Sequence, residues 1–235
     1  VIGQDGSADS YGAIIQIDEE QVQLMKRRGG VGHDLSHIRP KGTPVKNSAL
    51  TSTGLVPFME RYSNSTREVA QDGRRGALMI SIDINHPDVQ EFVNIKTDLN
   101  KVTSANISVR VSKEFMDAVK SNSDYILHYP CDTPIDMRMF DTDSMEYNKL
   151  SKSEWGDETI YLKKIKAKEL FDNLCLNNWN YAEPGILYWD RISDYNLLST
   201  DEKFSYAGVN PCAEEPLPAG GSCLLGSINL SEFVK

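Results

Sequence analysis

The sequence predicts a mixed α/β domain built on a mainly parallel sheet. Short apolar runs of strand length alternate along the chain with longer segments whose apolar residues recur at helical spacing. The composition agrees, because 235 residues that are 40% hydrophobic and 25% charged suffice for a sizeable core. The chain shows no internal repeat and no clear linker, so a single domain is the simplest organisation.

Five helices are predicted, and residues that commonly start or stop a helix bound several of them. The first ends at Gly29-Gly30, Gly54 and Pro57 weaken the start of the second, and the fourth begins at Ser112. In chain order, the predicted helices are residues 18–28, 48–62, 86–94, 112–120 and 166–181.

Five strands are predicted from apolar runs or from alternation of apolar and polar residues. In chain order they are residues 77–84, 106–111, 125–129, 186–189 and 224–230. The segments rich in glycine, proline or charge are predicted as loops, namely residues 30–44, 64–76, 131–155 and 210–221. Parallel pairing is favoured because a helix between two strands lets both run in the same direction.

The charge of the chain excludes some classes of protein. It has 25 lysines and arginines against 34 aspartates and glutamates, a formal net charge of −9, which argues against a general binder of nucleic acid or anionic membranes. No apolar run approaches the roughly 18 residues of a membrane helix, and no signal peptide opens the chain. We therefore expect a cytoplasmic protein, and Val1 in place of an initiator Met suggests a trimmed chain or a piece of a longer one.

The four cysteines are too few for a disulfide scaffold of this size, so we expect free thiols. No metal site is expected either. His33 and His37 are four residues apart, but a glycine before them and a proline after them are unsuited to a regular helix that presents two ligands. The cysteines are Cys131, Cys175, Cys212 and Cys223.

The loop after residue 209 brings together three groups with chemistry. Asn210, Cys212 and Glu214 lie within five residues, and Pro211 stiffens the backbone between them. The carboxylate suits a general base, the amide a hydrogen-bond donor, and the thiol a redox or nucleophilic group, with Cys223 as a reductant. The alternative is a buried cysteine and a surface glutamate in an ordinary turn.

Two other segments concentrate positive charge in an otherwise acidic chain. Residues 64–76 contain three arginines and two glycines, a combination suited to binding phosphate or nucleobase acceptors. Arg39, Lys41 and Lys46 follow the first glycine-rich segment and could also meet a phosphate. The alternatives are a solvated loop with incidental arginines and cations that balance neighbouring acids.

Together these segments resemble the catalytic large chain of ribonucleotide reductases, and their order and spacing agree along nearly the whole chain. The resemblance is carried by Gly-Gly-Val-Gly at residues 29–32, Arg-Pro-Lys-Gly at 39–42, Gln-Asp-Gly-Arg-Arg-Gly at 71–76, Asn-Pro-Cys-Ala-Glu at 210–214 and Ser-Cys-Leu-Leu-Gly-Ser-Ile-Asn-Leu at 222–230.

The resemblance implies part of a ten-stranded α/β barrel whose centre holds a finger loop. Residues 1–200 would form the first half-barrel, with parallel strands, helices outside, the effector-specificity site and the dimer helices. Residues 201–235 would form the finger loop with its catalytic cysteine and the start of the second half-barrel. The family's second reducing thiol has no counterpart here, since no cysteine precedes Cys131, and we expect the isolated chain to be unable to turn over.

The resemblance also implies catalytic roles. Cys212 matches the thiyl residue that abstracts the 3′ hydrogen, Glu214 the carboxylate that takes the 3′-hydroxyl proton, and Asn210 the amide that holds the substrate hydroxyls. Cys223 matches one of the two thiols that reduce the 2′ position and end as a disulfide. The implied substrate-binding positions are Gly29, Gly30, Asn210 and Glu214.

An allosteric site for a deoxynucleotide is implied in the same half of the protein. Asp9 and Ser10 match residues that recognise the effector base, and Arg39 and Lys46 match contacts to its phosphates. In the loop that passes the effector signal to the substrate, the implied positions are Gln71 and Arg75. The helices predicted at 18–28 and 48–62 would form a homodimer interface.

The implied activity is reduction of ribonucleotides, as diphosphates, to 2′-deoxyribonucleotides by a thiyl-radical mechanism under dNTP and ATP control. The radical would come either from a metal-containing small subunit or from adenosylcobalamin, and thioredoxin or glutaredoxin would act as reductant. Direct binding of nucleic acid or membrane is not expected. Two alternatives remain open: a nucleotide-binding regulatory module without catalysis of its own, and a thiol enzyme in which Cys212 is a nucleophile.

Overall fold

A computed structural model describes residues 8–69, 76–132, 148–149 and 160–234. The described strands are β1 (Val31–Asp34), β2 (Leu78–Asp83), β3 (Asn106–Val111), β4 (Asp124–Tyr129), β5 (Asn148–Lys149), β6 (Tyr161–Lys166), β7 (Gly185–Tyr188), β8 (Tyr206–Val209) and β9 (Pro216–Pro218). The described α-helices are α1 (Tyr11–Met25), α2 (Val56–Glu68), α3 (Val89–Asn94), α4 (Lys113–Ser121), α5 (Ala167–Tyr181) and α6 (Trp189–Asp194).

A four-stranded parallel sheet is the centre of the fold. Its strands lie in the order β1-β2-β3-β7, and every neighbouring pair is parallel. Two antiparallel units accompany it, the sheet β4-β6-β5 and the hairpin β8-β9. The predicted α/β class with parallel strands is therefore confirmed, and it is consistent with part of an α/β barrel.

Alternate side chains give the parallel sheet an apolar face and a polar face. On one face, apolar side chains of all four strands pack against the helices in the main core, among them Ile80, Ile107 and Val109. The intervening positions point to the other side and are mostly small or polar. They include Gly32, Asp34, Ser81, Asp83, Asn106, Ser108 and Arg110.

The hairpin β8-β9 lies against this polar face. Strand β8 contacts β1 and β2, and a small apolar cluster of Met79, Leu187 and Val209 joins the hairpin to the sheet. The chemical groups at the tip of the hairpin are thereby placed at the polar face, on the opposite side from the helices.

Helix α1 begins earlier and ends earlier than the sequence predicts. Ser10 caps it, because its Oγ accepts a hydrogen bond from the amide of Ala13. It ends at Met25, and Arg28 adopts a left-handed conformation with φ of 70° while the Gly29 amide donates to the carbonyl of Leu24. Asp18, where the predicted helix begins, lies inside the observed helix.

Helix α2 begins eight residues after the predicted position 48. Gly54 has a φ of +77°, which interrupts helical backbone, and Pro57 lies in the first turn, where its missing N–H costs nothing. The helix continues to Glu68 and so takes the first residues of the predicted loop 64–76.

The remaining predicted elements divide into matches and errors. The strands predicted at 77–84, 106–111, 125–129 and 186–189, and the helices at 86–94, 112–120 and 166–181, agree with the structure to within about three residues. Strand β1 lies where a loop was predicted, and β9 lies inside the predicted loop 210–221. The predicted strand at 224–230 is wrong, since those residues pair with no described strand and only Leu230–Phe233 form a 3-10 turn.

Candidate functional site

A tight turn presents the tip of the β8-β9 hairpin. The carbonyl of Asn210 accepts a hydrogen bond from the amide of Ala213 at 3.0 Å, which closes a four-residue turn with Pro211 at its second position. Proline favours that position because its fixed φ matches the turn. Ala213 then takes a left-handed φ of 67°, a common way to rejoin the second strand. The apex of the turn is therefore Pro211-Cys212.

Asn210 also ties the two sides of the turn together. Its backbone amide donates to the carbonyl of Glu215 at 3.1 Å, and its side-chain Oδ1 accepts from the Glu215 amide at 3.1 Å. Among the described residues the Nδ2 of Asn210 has no partner, so its two N–H groups remain available to a ligand.

The turn lies directly on the amino ends of the central strands. A Cβ added to Gly30 would come within 2.6 Å of the Pro211 ring, and the Asn106 side-chain amide donates to the Pro211 carbonyl at 3.1 Å. Of the two glycines predicted at the substrate, Gly30 therefore lies against the turn, whereas Gly29 lies against the last turn of α1 at Leu24.

The predicted chemical groups differ in exposure. Cys212 and Glu214 are exposed, and Cys223 is half-buried where the chain leaves the hairpin. Asn210, Cys212, Glu214 and Gly30 are thus brought to one place, as the motif requires, while their catalytic roles stay predictions.

The other two cysteines have different surroundings. Burial raises the pKa of the Cys131 thiol, which donates a hydrogen bond to the carbonyl of Ser36 at 3.6 Å. Cys175 lies on the exposed surface of α5, and partial burial raises its pKa as well. A raised pKa disfavours the reactive thiolate at both positions.

A buried charge cluster at the carboxyl ends of the central strands was missed by the sequence analysis. Arg110 Nη1 lies 3.1 Å from Asp34 Oδ2, and Nη2 lies 3.1 Å from Asp83 Oδ2. The guanidinium carbon lies 4.3 Å from the centre of the Trp189 ring, and Nη1 also donates to the carbonyl of Ala207 in β8 at 3.4 Å. One guanidinium thus joins β1, β2, β3 and the hairpin.

The electrostatics of this cluster favour a charged arginine. Burial alone would lower the pKa of Arg110, but the carboxylates of Asp34 and Asp83 raise it above its ordinary value. Burial raises the pKa of Asp83 despite the opposing effect of Arg110. The sequence did carry a signal for this cluster: charges of opposite sign at polar-face positions near the ends of otherwise apolar strands.

The residues predicted to recognise an effector meet at the start of α1. Arg39 binds both carboxylate oxygens of Asp9, through Nε to Oδ2 and through Nη2 to Oδ1, the latter at 3.1 Å. Its Nη1 donates to the carbonyl of Pro44 at 2.9 Å, and the hydrogen bond to Asp9 raises its pKa. Ser10 lies next to this pair as the helix cap.

Three other predicted effector positions are not joined to this group. Lys46 is exposed on the loop after Pro44. Gln71 and Arg75 lie outside the described residues. Two tyrosines that were not predicted, Tyr129 and Tyr161, lie near Arg39: its positive charge lowers the pKa of each hydroxyl, although burial raises both pKa values overall.

The described part of the chain contains neither a candidate metal site nor a candidate membrane span. No group of three or more His, Cys, Asp or Glu side chains there could hold a metal ion. Within the same residues no helix has the length and apolar character needed to cross a bilayer.

Comparison with known proteins places the whole chain in one family. A family model described as the barrel domain of ribonucleotide reductase matches residues 2–235. The vitamin B12-dependent ribonucleoside-diphosphate reductase of Thermoplasma acidophilum is 33% identical over 228 residues, covering 96% of this chain and 26% of that protein. The enzyme of the same name from Mycobacterium tuberculosis is 31% identical over 228 residues, which cover 96% of this chain and 29% of that protein.

A differently named relative also matches. The ribonucleoside-diphosphate reductase subunit alpha of Buchnera aphidicola is 25% identical over 217 residues, covering 89% of this chain and 28% of that protein. The chain spans about a quarter of the length of these relatives. From the family match along nearly its full length, the chain belongs to the ribonucleotide reductases and represents part of their barrel domain.

Proposed function

We propose that this chain is the part of a ribonucleoside-diphosphate reductase that carries the radical-bearing thiol. The observation that carries the proposal is the turn at residues 210–213, which holds an exposed thiol at its apex and fixes the backbone on both sides of it. A hydrogen-bonded turn on a polar sheet face presents Asn210, Cys212 and Glu214 to one small molecule. The names of the relatives, ribonucleoside-diphosphate reductases, support a diphosphate substrate.

The chemistry assigned to these residues begins with a thiyl radical on Cys212. The sulfur takes the hydrogen atom from the 3′ carbon of the ribose, so that an S–H bond forms as a C–H bond breaks. Glu214 accepts the proton of the 3′ hydroxyl, and the free Nδ2 donors of Asn210 hold the hydroxyl oxygens. The 2′ hydroxyl leaves as water. Cys223 and a second thiol, supplied by the complete protein outside this chain, provide two electrons and two protons and become a disulfide. Cys212 then returns the hydrogen atom to the 3′ carbon, which regenerates the thiyl radical, and Glu214 returns the proton to the 3′ oxygen.

The radical must come from outside the hairpin. Two of the relatives are named vitamin B12-dependent, which favours adenosylcobalamin over a metal-containing small subunit. Cys212 is the residue that would face the cofactor, and the chemistry supplied is removal of a hydrogen atom from its thiol.

The effector site completes the proposal. Asp9 and Arg39 form an ion pair at the start of α1, next to Ser10. A deoxynucleoside triphosphate would engage Arg39 through its phosphates, since a guanidinium suits phosphate oxygens. Gln71 and Arg75 are assigned to the loop that couples this site to the substrate, and Lys46 to a further phosphate contact.

The partners are proposed on the same basis. Tyr11, Ile15 and Leu24 are large side chains exposed on α1, which supports a homodimer formed through α1 and α2. Thioredoxin or glutaredoxin would reduce the disulfide that each turnover leaves, and the protein would act in the cytoplasm.

The test compares Cys212→Ser with Cys175→Ser in the complete protein that contains this chain. With adenosylcobalamin, a dithiol reductant, a ribonucleoside diphosphate and a dNTP, Cys175→Ser should reduce substrate at the wild-type rate. Cys212→Ser should lose at least a thousandfold in rate and still bind dTTP with wild-type affinity. Equal rates for the two variants would contradict the role of Cys212. Tight dTTP binding without any reduction by the wild type would favour a regulatory module instead.

A further inference from the structure

Strand β3 contacts the β8-β9 hairpin, which carries Cys212, at two points. Both contacts are made by side chains on the same face of the sheet. Asn106 and Arg110 are four residues apart, so both point to the polar side of the sheet, about 13 Å from one another. Asn106 reaches the turn at Pro211, and Arg110 reaches strand β8 at Ala207. The two contacts on the hairpin are also four residues apart, which matches the spacing on β3.

We propose that Asn106 and Arg110 are positioning residues that hold the Cys212 hairpin in register on the sheet, one at the turn and one at the strand. The role rests on the proposed function, because it concerns where the reactive sulfur lies relative to the substrate. Neither residue is assigned to touch the substrate.

Asn106 acts next to the reactive thiol. Its Nδ2 donates to the Pro211 carbonyl at 3.1 Å, and that carbonyl belongs to the peptide group that leads into Cys212. A hydrogen bond there fixes the orientation of this peptide plane and hence the direction of the Cys212 side chain. The bond needs a donor on β3, because the atom it meets is a carbonyl oxygen.

Arg110 is itself held in place by the sheet. Its guanidinium pairs with Asp34 and Asp83, packs over Trp189, and keeps a side-chain exposure of only 14%. The contact to the Ala207 carbonyl at 3.4 Å is long, so its energy alone is small. The contact matters for position: the same rigid guanidinium is bound to β1, β2 and the hairpin strand β8 at once, so it holds β8 at one place along the sheet.

Positioning matters because hydrogen-atom transfer requires close approach of the reacting atoms. A displacement of about 1 Å at a reacting group can lower a rate about a hundredfold. Loss of either contact should therefore reduce kcat more than it changes KM, while a purely structural role would lower the amount of folded enzyme and leave kcat per folded molecule unchanged.

The experiment uses three substitutions at Asn106 and Arg110 in the complete protein that contains this chain. Asn106→Ala removes the donor, and Asn106→Asp keeps its shape but places an acceptor opposite a carbonyl. Asn100→Ala, in the exposed loop before β3, is the matched control. Arg110→Lys keeps the positive charge but loses the planar guanidinium, whose two nitrogens pair with two carboxylates. Lys113→Gln, at an exposed position, is its control.

Two measurements are made on each protein: hydrogen exchange of the amides in residues 206–218, and kcat and KM per folded molecule. We expect Asn106→Ala and Asn106→Asp to exchange at least fivefold faster in that segment and to lose about tenfold in kcat, with KM within twofold of wild type. Arg110→Lys should show the same pattern, and both controls should match wild type.

The outcomes separate this proposal from the function on which it rests. Hairpin exchange and kcat in Asn106→Ala equal to those of Asn100→Ala would overturn the positioning role. Should Arg110→Lys fail to fold, the two Asn106 variants decide the matter alone. Faster exchange in a protein whose wild type reduces no ribonucleotide would overturn the proposed function while supporting the contacts to the hairpin.

Discussion

Gly32 in β1 and Val209 in β8 lie so close that a Cβ on Gly32 would sit 1.8 Å from the Val209 carbonyl oxygen. No side chain can fill that space, so the hairpin strand rests on bare backbone of the central sheet. Gly30 makes the equivalent close approach to Pro211 at the tip. The glycines of this segment therefore set the distance between the thiol turn and the sheet.

Gly32→Ala should displace the hairpin. The added methyl group meets a backbone atom that cannot rotate away, so we expect a loss of about 1–3 kcal/mol in the free energy of unfolding. Gly208→Ala, one residue before Val209, is the control because a Cβ there meets nothing within 4 Å. Urea unfolding measures the difference in stability. Equal midpoints for the two variants would show that Gly32 does not lie against the Val209 carbonyl.

The ion pair between Lys96 and Glu183 predicts a second difference in stability. Lys96 Nζ lies 2.9 Å from Glu183 Oε2 with side-chain exposures of 13% and 22%, and it also donates to the carbonyls of Val102 and Ala105. The other Glu183 oxygen accepts from the Ile107 amide at 2.8 Å, at the start of β3. The pair therefore holds in place the loop that leads into β3 at Asn106.

Glu183→Gln should cost about 2 kcal/mol of unfolding free energy, because it leaves a poorly solvated ammonium without its counter-charge. Asp117→Asn breaks the exposed pair with Lys113, in which the Lys113 and Asp117 side chains are 81% and 50% exposed, so its unfolding free energy should stay close to that of the wild type. Thermal or urea unfolding of the two variants side by side checks this, and costs of similar size would contradict the difference in burial as the cause.

Local sequence patterns predicted most of the fold because each pattern was strong enough to act alone. The run at residues 77–84 and the alternation at 106–111 specify strands without reference to any partner. Strand β1 was missed because its four residues, Val-Gly-His-Asp, have little strand propensity of their own. Its pairing with β2 supplies the stability. The reverse error occurred at 224–230, where an apolar run has no described strand beside it.

The candidate site was predictable only in part, for a related reason. The turn at residues 210–214 is local, so its motif alone located Asn210, Cys212 and Glu214. The pairing of Arg110 with Asp34 and Asp83 joins residues from three strands, and parallel pairing must be known before they can be seen to meet. Contacts made by tertiary structure leave only a weak trace in a single sequence.

The Asp9–Arg39 pair predicts how effector binding should respond to substitution and salt. Arg39→Gln removes a guanidinium assigned to phosphate, so we expect dTTP affinity to fall at least tenfold in the complete protein. Arg191→Gln, exposed on α6, removes the same charge elsewhere and should leave affinity within twofold. Calorimetry at low and high salt should show weaker salt dependence in Arg39→Gln than in wild type. Equal affinities for the two variants would place the phosphates elsewhere.

Two neutral histidines and one aspartate predict how stability changes with pH. His33 Nε2 donates to Gln21 Oε1 at 2.7 Å, and burial lowers its pKa to about 4. His86 donates to the carbonyl of Ile38 and accepts from the Asp88 amide, and burial lowers its pKa to about 4 as well. Burial raises the pKa of the Asp88 carboxyl to about 6.

The three groups act with different signs. Below pH about 6.5 the unfolded chain protonates its histidines while folded His33 and His86 stay neutral, so stability falls by at most about 1.4 kcal/mol per pH unit for each. Below pH about 6 folded Asp88 holds a proton that the unfolded chain still releases, so it adds stability at a similar rate until pH about 4. Among these three groups, Asp88 offsets one histidine between pH 6 and 4.5, and the loss of stability from the other histidine remains.

His33→Gln should therefore flatten the dependence of stability on pH. Without His33, the effects of His86 and Asp88 oppose each other, so the unfolding free energy should fall less between pH 6 and 4.5 than it does in the wild type. His37→Gln, at an exposed position, should keep the wild-type slope. Urea unfolding at pH 7, 6, 5 and 4.5 measures both slopes. A wild-type slope in His33→Gln would mean that His33 titrates alike in the folded and unfolded chains, and that burial does not keep the ring neutral.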